Sequence, residues 1–160
     1  MATVADVREI KRRCLELMET AADLYFATVD STVDNGFPFI RCMFNWRCAS
    51  RFPSLVPLFR GHGEDLLVYL GANTSSVKVR QLRGNGRAAV YYCQPERFRG
   101  LLLQGVVESV DDAAFKKTVW QPGWEMYYPQ GPADPDFAVL RLVPVRARGW
   151  WEGGPFDITI

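Results

Sequence analysis

The stretch RAAVYYCQPERFRGLLLQGVVESVDD, residues 87–112, sets two β-rich runs on either side of the turn QPERFR. Val, Tyr and Leu dominate both runs, and such residues suit a pleated, half-buried surface. The second run is long, and strands joined by so short a turn pair antiparallel.

Working outward, Asp111 and Asp112 lead into AAFKKTVW, where acids at the start and lysines in the body suit a short helix and its dipole. Upstream, Leu66 to Gly71 reads as a strand, followed by a helix over about Ser76 to Arg83 that Gly84-Asn85-Gly86 closes. Leu24 to Asp30 and Phe37 to Trp46 read as a hairpin turning at Asn35-Gly36. FAVLRLVPVRARGW, residues 137–150, alternates as a last strand, and QPGWEMYYPQGPADPD before it reads as loop or irregular helix. Val4, Val7, Ile10, Cys14, Leu17 and Met18 recur at helical spacing, which predicts an amphipathic helix over about 3–20. Residues 47–65 carry two prolines, two glycines and no period, so no element is assigned there.

Six sequential, antiparallel strands with one helix after the third and one after the fifth describe a small β-barrel with flanking helices, a sandwich being the competing architecture. The 160 residues suit one domain.

Nineteen basic against eighteen acidic side chains, with no long Lys/Arg block, argue against nucleic acid as a partner. No apolar run reaches membrane-spanning length, and the charged N-terminus does not read as a signal peptide, so a soluble, cytoplasmic protein without membrane contact is expected. Cys14, Cys42, Cys48 and Cys93 lack metal or redox spacing and read as free buried thiols. His62, the only histidine, lacks clustered partners for a metal, so no metal site is expected.

The segment LGANTSSVKVRQLRGN, residues 70–85, leaves a strand and enters a helix. First-turn amides and the dipole make an anion site there, to which Thr74, Ser75, Ser76 and Lys78 add donors and charge. Equally, Ser75 or Ser76 caps the helix and nothing binds. Arg41 interrupts an apolar strand and, if buried, needs an anion or several acceptors; on the solvent face it needs neither. Trp120, Trp124, Tyr127, Tyr128, Trp150 and Trp151 crowd the last third, which suits a flat ligand, a subunit interface or plain core filling.

LYFATVDSTVDNGFPFIRCMF, LLVYLGANTSSVKVRQLRGNGRAAVYY, ERFRGLLLQGVVESVDD and KKTVWQPGWEMYYPQGPADPDFAVLRLVPVRARGWW together cover nearly everything beyond residue 23. They resemble the FMN-binding split-barrel family related to pyridoxamine 5'-phosphate oxidase, in its general-stress-protein branch. Ser-x-Lys-Val-Arg-Gln-Leu followed by YYPQGPADPD and a late Trp is the specific combination.

The resemblance implies a six-stranded antiparallel split β-barrel, homodimeric, with FMN in clefts between subunits. It implies phosphate contacts from Arg41, Ser76 and Lys78, with Thr74 and Ser75 as neighbouring donors. Cys42, Met43 and Phe44 would line the flavin ring, and Trp151, or Trp150 one residue away, would reach it from the partner subunit. The family's Arg-x-His element after Trp-x-Gly-Gly is replaced by PFDITI, which points away from pyridoxamine phosphate oxidation. A flavin-dependent oxidoreductase is the leading expectation. The alternatives are a non-catalytic flavin carrier or sensor, and a barrel for deazaflavin or haem.

Overall fold

A computed structural model describes residues 4–30 and 36–160. Helix α1 (Val4–Thr20) leads into strands β1 (Asp23–Val29), β2 (Pro38–Phe44) and β3 (Val68–Asn73). Helix α2 (Val77–Gly84) and strands β4 (Arg87–Gln94) and β5 (Arg99–Ser109) follow, then α3 (Ala113–Val119), β6 (Phe137–Trp151) and β7 (Gly154–Thr159). The six expected strands are all present, in the order β2-β1-β4-β5-β6-β3, every pair antiparallel, curled into a split barrel. The seventh, β7, was not expected; it folds back on β6 with Trp151 opposite Gly154. Helix α1 matches its expected span except at residue 3, which, like the Asn35 of the expected turn, lies outside the described residues. The strands flanking that turn do pair, with Val29 opposite Pro38.

Two apolar cores lie on opposite faces of the sheet. The inner one gathers Leu24, Phe26, Val90, Leu101 and Leu103 under Leu17 and Met18 of α1. The outer one sets Tyr69, Phe137 and Val139 against Trp46, Phe52, Leu55, Phe59 and Trp124. Successive residues of β3 and β6 therefore enter different cores, and both strands are almost continuously buried at their start. Period-2 alternation weakens where both faces are covered.

The unassigned 47–65 segment builds much of the outer core. It contains a 3₁₀ turn, Pro53–Phe59, that buries Leu55 and Phe59. Its anchor is Arg47, a buried guanidinium that donates to the carbonyls of His62 (2.7 Å) and Leu67 (3.1 Å) and lies 4.5 Å over the Phe59 ring. Such full pairing offsets the cost of burying the cation. Gly71 lets this layer approach the sheet, since a Cβ there would stand 3.0 Å from Cζ2 of Trp46. Two helix expectations also hold: Asp112 caps α3 by accepting from the amide of Phe115, and α2 ends before Asn85.

Among the described residues no such layer covers β1, β4 and β5 on their outward side, where Tyr25, Ala27, Ala89, Tyr91 and Leu102 line an apolar groove with Ile40 of β2. The thiol expectation needs correcting here: Cys14 and Cys48 are buried, but Cys42 is exposed and Cys93 partly so, because both side chains leave the outward face of their strands. Among the described residues no helix is long and apolar enough to cross a membrane.

Candidate functional site

A cavity of about 290 Å³ opens between β2, β3, the start of α2 and the 124–128 loop. Cys42, Met43 and Phe44 line one side and Gly71 to Asn73 the other. Lys78 and the aromatic group of Trp124, Tyr127 and Tyr128 complete the wall. Trp46 stacks on Trp124 at 5.4 Å behind them. Of the residues expected at a site, the structure thus brings Cys42, Met43, Phe44 and Lys78 together in one hollow.

Arg41 sits half-buried beside it. Its Nη1 donates to Thr28 Oγ1 at 2.7 Å and its Nη2 reaches Gln81 Oε1 at 3.4 Å. Thr28 donates to the same Gln81 oxygen at 2.6 Å, while Gln81 Nε2 is buried without a partner. No carboxylate pairs with Arg41 or Lys78 among the described residues. Burial pushes the Arg41 pKa down, and burial followed by the nearby Arg41 charge pushes the Lys78 ammonium down. Two partly desolvated cations thus lie side by side, Arg41 on neutral acceptors and Lys78 with only the more distant Asp136 charge to offset the repulsion, an arrangement that favours an anion between them.

Helix α2 adds to the positive field. Ser76 stands at its N-cap in an extended conformation, yet its hydroxyl donates to the carbonyl of Asn73 at 2.6 Å and caps no amide. The first-turn amides therefore keep their donor capacity.

Thr74 and Ser75, expected as neighbouring donors, are engaged elsewhere. The Thr74 hydroxyl donates to Asp136 Oδ1 at 2.8 Å, and Ser75 gives that carboxylate both its amide (2.8 Å) and its hydroxyl (3.1 Å). Asn73 Nδ2 donates to the other oxygen at 2.7 Å. This collection of donors holds the Asp136 carboxyl well below the usual carboxylate range, Asn73 contributing most. Asp134 sets the clamp, accepting from the amides of Gln130 and Asp136.

Trp151 does not join the cavity. It is 7% exposed, with Arg99 4.1 Å over its ring, whereas Trp150 is 47% exposed. Arg99 in turn bonds Glu16 of α1 and Glu152 of the β6–β7 turn. Trp150 stands in one outward row with Gly100 of β5 and Cys93 of β4.

Sequence reasoning missed Thr28, Gln81 and Asp136. Gln81 carried a signal, since it lies three residues after Lys78 on one helix face. Asp136 carried none, its partners lying in a loop remote in sequence.

A curled antiparallel barrel flanked by helices, with an aromatic-walled cavity carrying Lys78, defines a split-barrel protein. A family model described as pyridoxamine 5'-phosphate oxidase like matches residues 59–159, and the chain belongs to that family. The family binds flavin-type cofactors, and its members are often dimers. The chain is similar to a crystal structure of a protein from Clostridium acetobutylicum related to general stress protein 26 of B. subtilis, with 25% identity, 96% of each chain covered and a TM-score of 0.74. General stress protein 26 from Bacillus anthracis shares the fold at 13% identity, with 95% of this chain and 99% of that one covered and a TM-score of 0.69. A structure named F420 reductase shares it at 22% identity over 82% of this chain and 93% of that one, with a TM-score of 0.54. No curated protein sequence matches the chain.

Proposed function

We propose that the protein binds FMN in this cavity, as a homodimer, and serves as a flavin-dependent oxidoreductase. The observation that carries the reading is the pairing of Arg41 and Lys78, two cations without a carboxylate partner, beside the uncapped amides of α2. A phosphate monoester supplies the charge this arrangement lacks. The donor set fits the group: the Lys78 ammonium on the lining, the Arg41 guanidinium and the uncapped start of α2 beside it, and apolar, aromatic walls beyond.

In this reading Arg41 and Lys78 hold the phosphate, and Ser76 presents the helix start. Thr74 and Ser75 act through Asp136, keeping the loop in shape rather than touching the ligand. Cys42, Met43 and Phe44 flank the ring, and Trp124 with Tyr127 excludes water from it. Bound there, FMN would supply hydride and one-electron chemistry. The apolar outer groove around Tyr25, Ile40 and Tyr91 is the face for a second copy, since a monomer gains nothing by exposing it. Trp150, on that same side, is the tryptophan available to a partner, because Trp151 is occupied by Arg99.

The deciding experiment is a titration of the purified protein with FMN and with riboflavin, read by flavin fluorescence. FMN should bind at least tenfold tighter, the effect of charge-assisted contacts to phosphate. Equal affinities would remove the phosphate from Arg41 and Lys78. A deazaflavin reading draws on the neighbour named F420 reductase; uptake of a deazaflavin in preference to FMN would select it.

A further inference from the structure

Most polar groups around the cavity are already engaged. Asp23 on its lining is paired with Arg51 at 2.7 Å, and Asn73 is held by Asp136. Lys78 has no hydrogen-bond partner among the described residues, and neither has the hydroxyl of Tyr128. Tyr128 is 7% exposed, and its ring is fixed by Phe137 at 4.8 Å and Trp120 at 6.1 Å. The ring is packed away while the hydroxyl is not sealed: it opens onto the cavity, where a ligand acceptor can take the place of water. The packing uses only the ring, and a phenylalanine would serve it equally. The contrast with Tyr92 is informative: that hydroxyl is sealed in the inner core, whereas Tyr128 lies on the wall of a ligand-sized hollow.

We infer that Tyr128 is a ligand-binding residue whose hydroxyl donates a hydrogen bond to an oxygen of the cavity's occupant, an acceptor-rich, flat anion held at its charged end by Lys78. This deepens the proposed function and rests on it for the identity of the occupant, but not for the class. The walls offer free donors and aromatic surface, and the Asp23 carboxylate among them is already paired with Arg51, so an acceptor-rich anion is better served there than a cation. The phenol remains a donor throughout the physiological range: burial, with Asp136 and Asp134 adding to it, pushes its pKa up to about 12.

The test compares the wild type with Tyr128→Phe in three titrations: FMN, riboflavin and, as a flat aromatic sulfonate unrelated to flavins, anilinonaphthalene sulfonate. The substitution should weaken binding about three- to tenfold, as expected for one neutral hydrogen bond, with no loss of melting temperature. Loss for FMN alone places the hydroxyl on the phosphate; equal loss for riboflavin places it on the ring or ribityl chain. Unchanged affinity for every probe overturns the inference, and so does a variant that melts markedly earlier, which would give the hydroxyl a structural role. A wild type that takes up only the sulfonate, and takes it more weakly after substitution, leaves Tyr128 in place and removes the flavin reading. If the wild type binds none of the three, both fall.

Discussion

Replacing Lys78 by Met should separate stability from binding, moving them in opposite directions. In the free protein the Lys78 ammonium is half-buried, makes no ion pair among the described residues, and feels the Arg41 charge more than the opposing charge of Asp136. Methionine keeps the unbranched stem and removes the charge, so the free protein should be unaffected or stabilised by up to about 1 kcal/mol, since the ammonium keeps partial solvent contact. For a chain of this size that is a rise of about 2–4 °C in melting temperature. Binding should move the other way. One charge-assisted contact to phosphate is worth about 1.5–3 kcal/mol, so FMN affinity should fall about 10- to 150-fold while riboflavin affinity barely changes. Thermal melts with and without FMN read both quantities in one experiment. In the wild type FMN should raise the midpoint; in Lys78→Met that increment should shrink while the baseline does not fall. The titration of Lys78 gives an independent sign. Its folded pKa lies below its unfolded value, so the free protein gains stability as pH rises through the folded pKa towards the unfolded one, and Lys78→Met loses that gain. A variant that melts earlier than wild type while binding FMN as well would refute the reasoning, for it would show that the ammonium is paired within the protein and idle towards ligands.

Asp136→Ala should release the β3–α2 loop, because one carboxylate serves Asn73, Thr74 and Ser75. Four solvent-accessible hydrogen bonds at about 0.5 kcal/mol each suggest a loss of about 2 kcal/mol. The Asp136 pKa is depressed on folding, so this contribution is complete above the unfolded value of about 4 and fades as pH falls below it. Melts of wild type and variant across pH 2–7 should converge only at the acidic end; a constant gap would mean the carboxylate charge is irrelevant. Ile40→Glu places a charge in the apolar groove, and light scattering should then report a monomer with its fold intact by circular dichroism. A dimer surviving that change would move the interface to another face.

Strand existence was legible where one face meets a core and the other does not, as in β1, β4 and β5. β6 was legible too, although its start is buried on both sides, because its length and Val/Leu content carried the signal. β7 was not: Gly154 and Pro155 open it, and Ile158 is its one fully buried residue, so neither period nor composition marks it. The 47–65 segment hid for a different reason. Its apolar residues cluster around a buried Arg47 through a 3₁₀ turn, a geometry with no repeat long enough to show in one dimension. At the cavity, Lys78 was legible from its place in the first turn of a helix, whereas Cys42 to Phe44 followed from the family resemblance alone. The real partners of Thr74 and Ser75 were not, because hydroxyls at a helix start look alike whether they face a ligand or a distant Asp136.

The sheet order also fixes when the cavity can come into being. β3 sits at the sheet edge beside β6, with Val68 opposite Leu142, and the loop after β3 is locked by Asp136. During synthesis β1, β2, β4 and β5 can pair as they emerge, but β3 and the start of α2 must wait for the last quarter of the chain. Closing so long a loop is slow, and an apolar strand left waiting is open to wrong partners. Arg99 of β5 can pair with Glu16 of α1 as soon as β5 has emerged, whereas its second partner, Glu152, arrives only near the end. The hollow is therefore the last part of the molecule to be assembled, and premature termination near residue 140 would leave four paired strands without it.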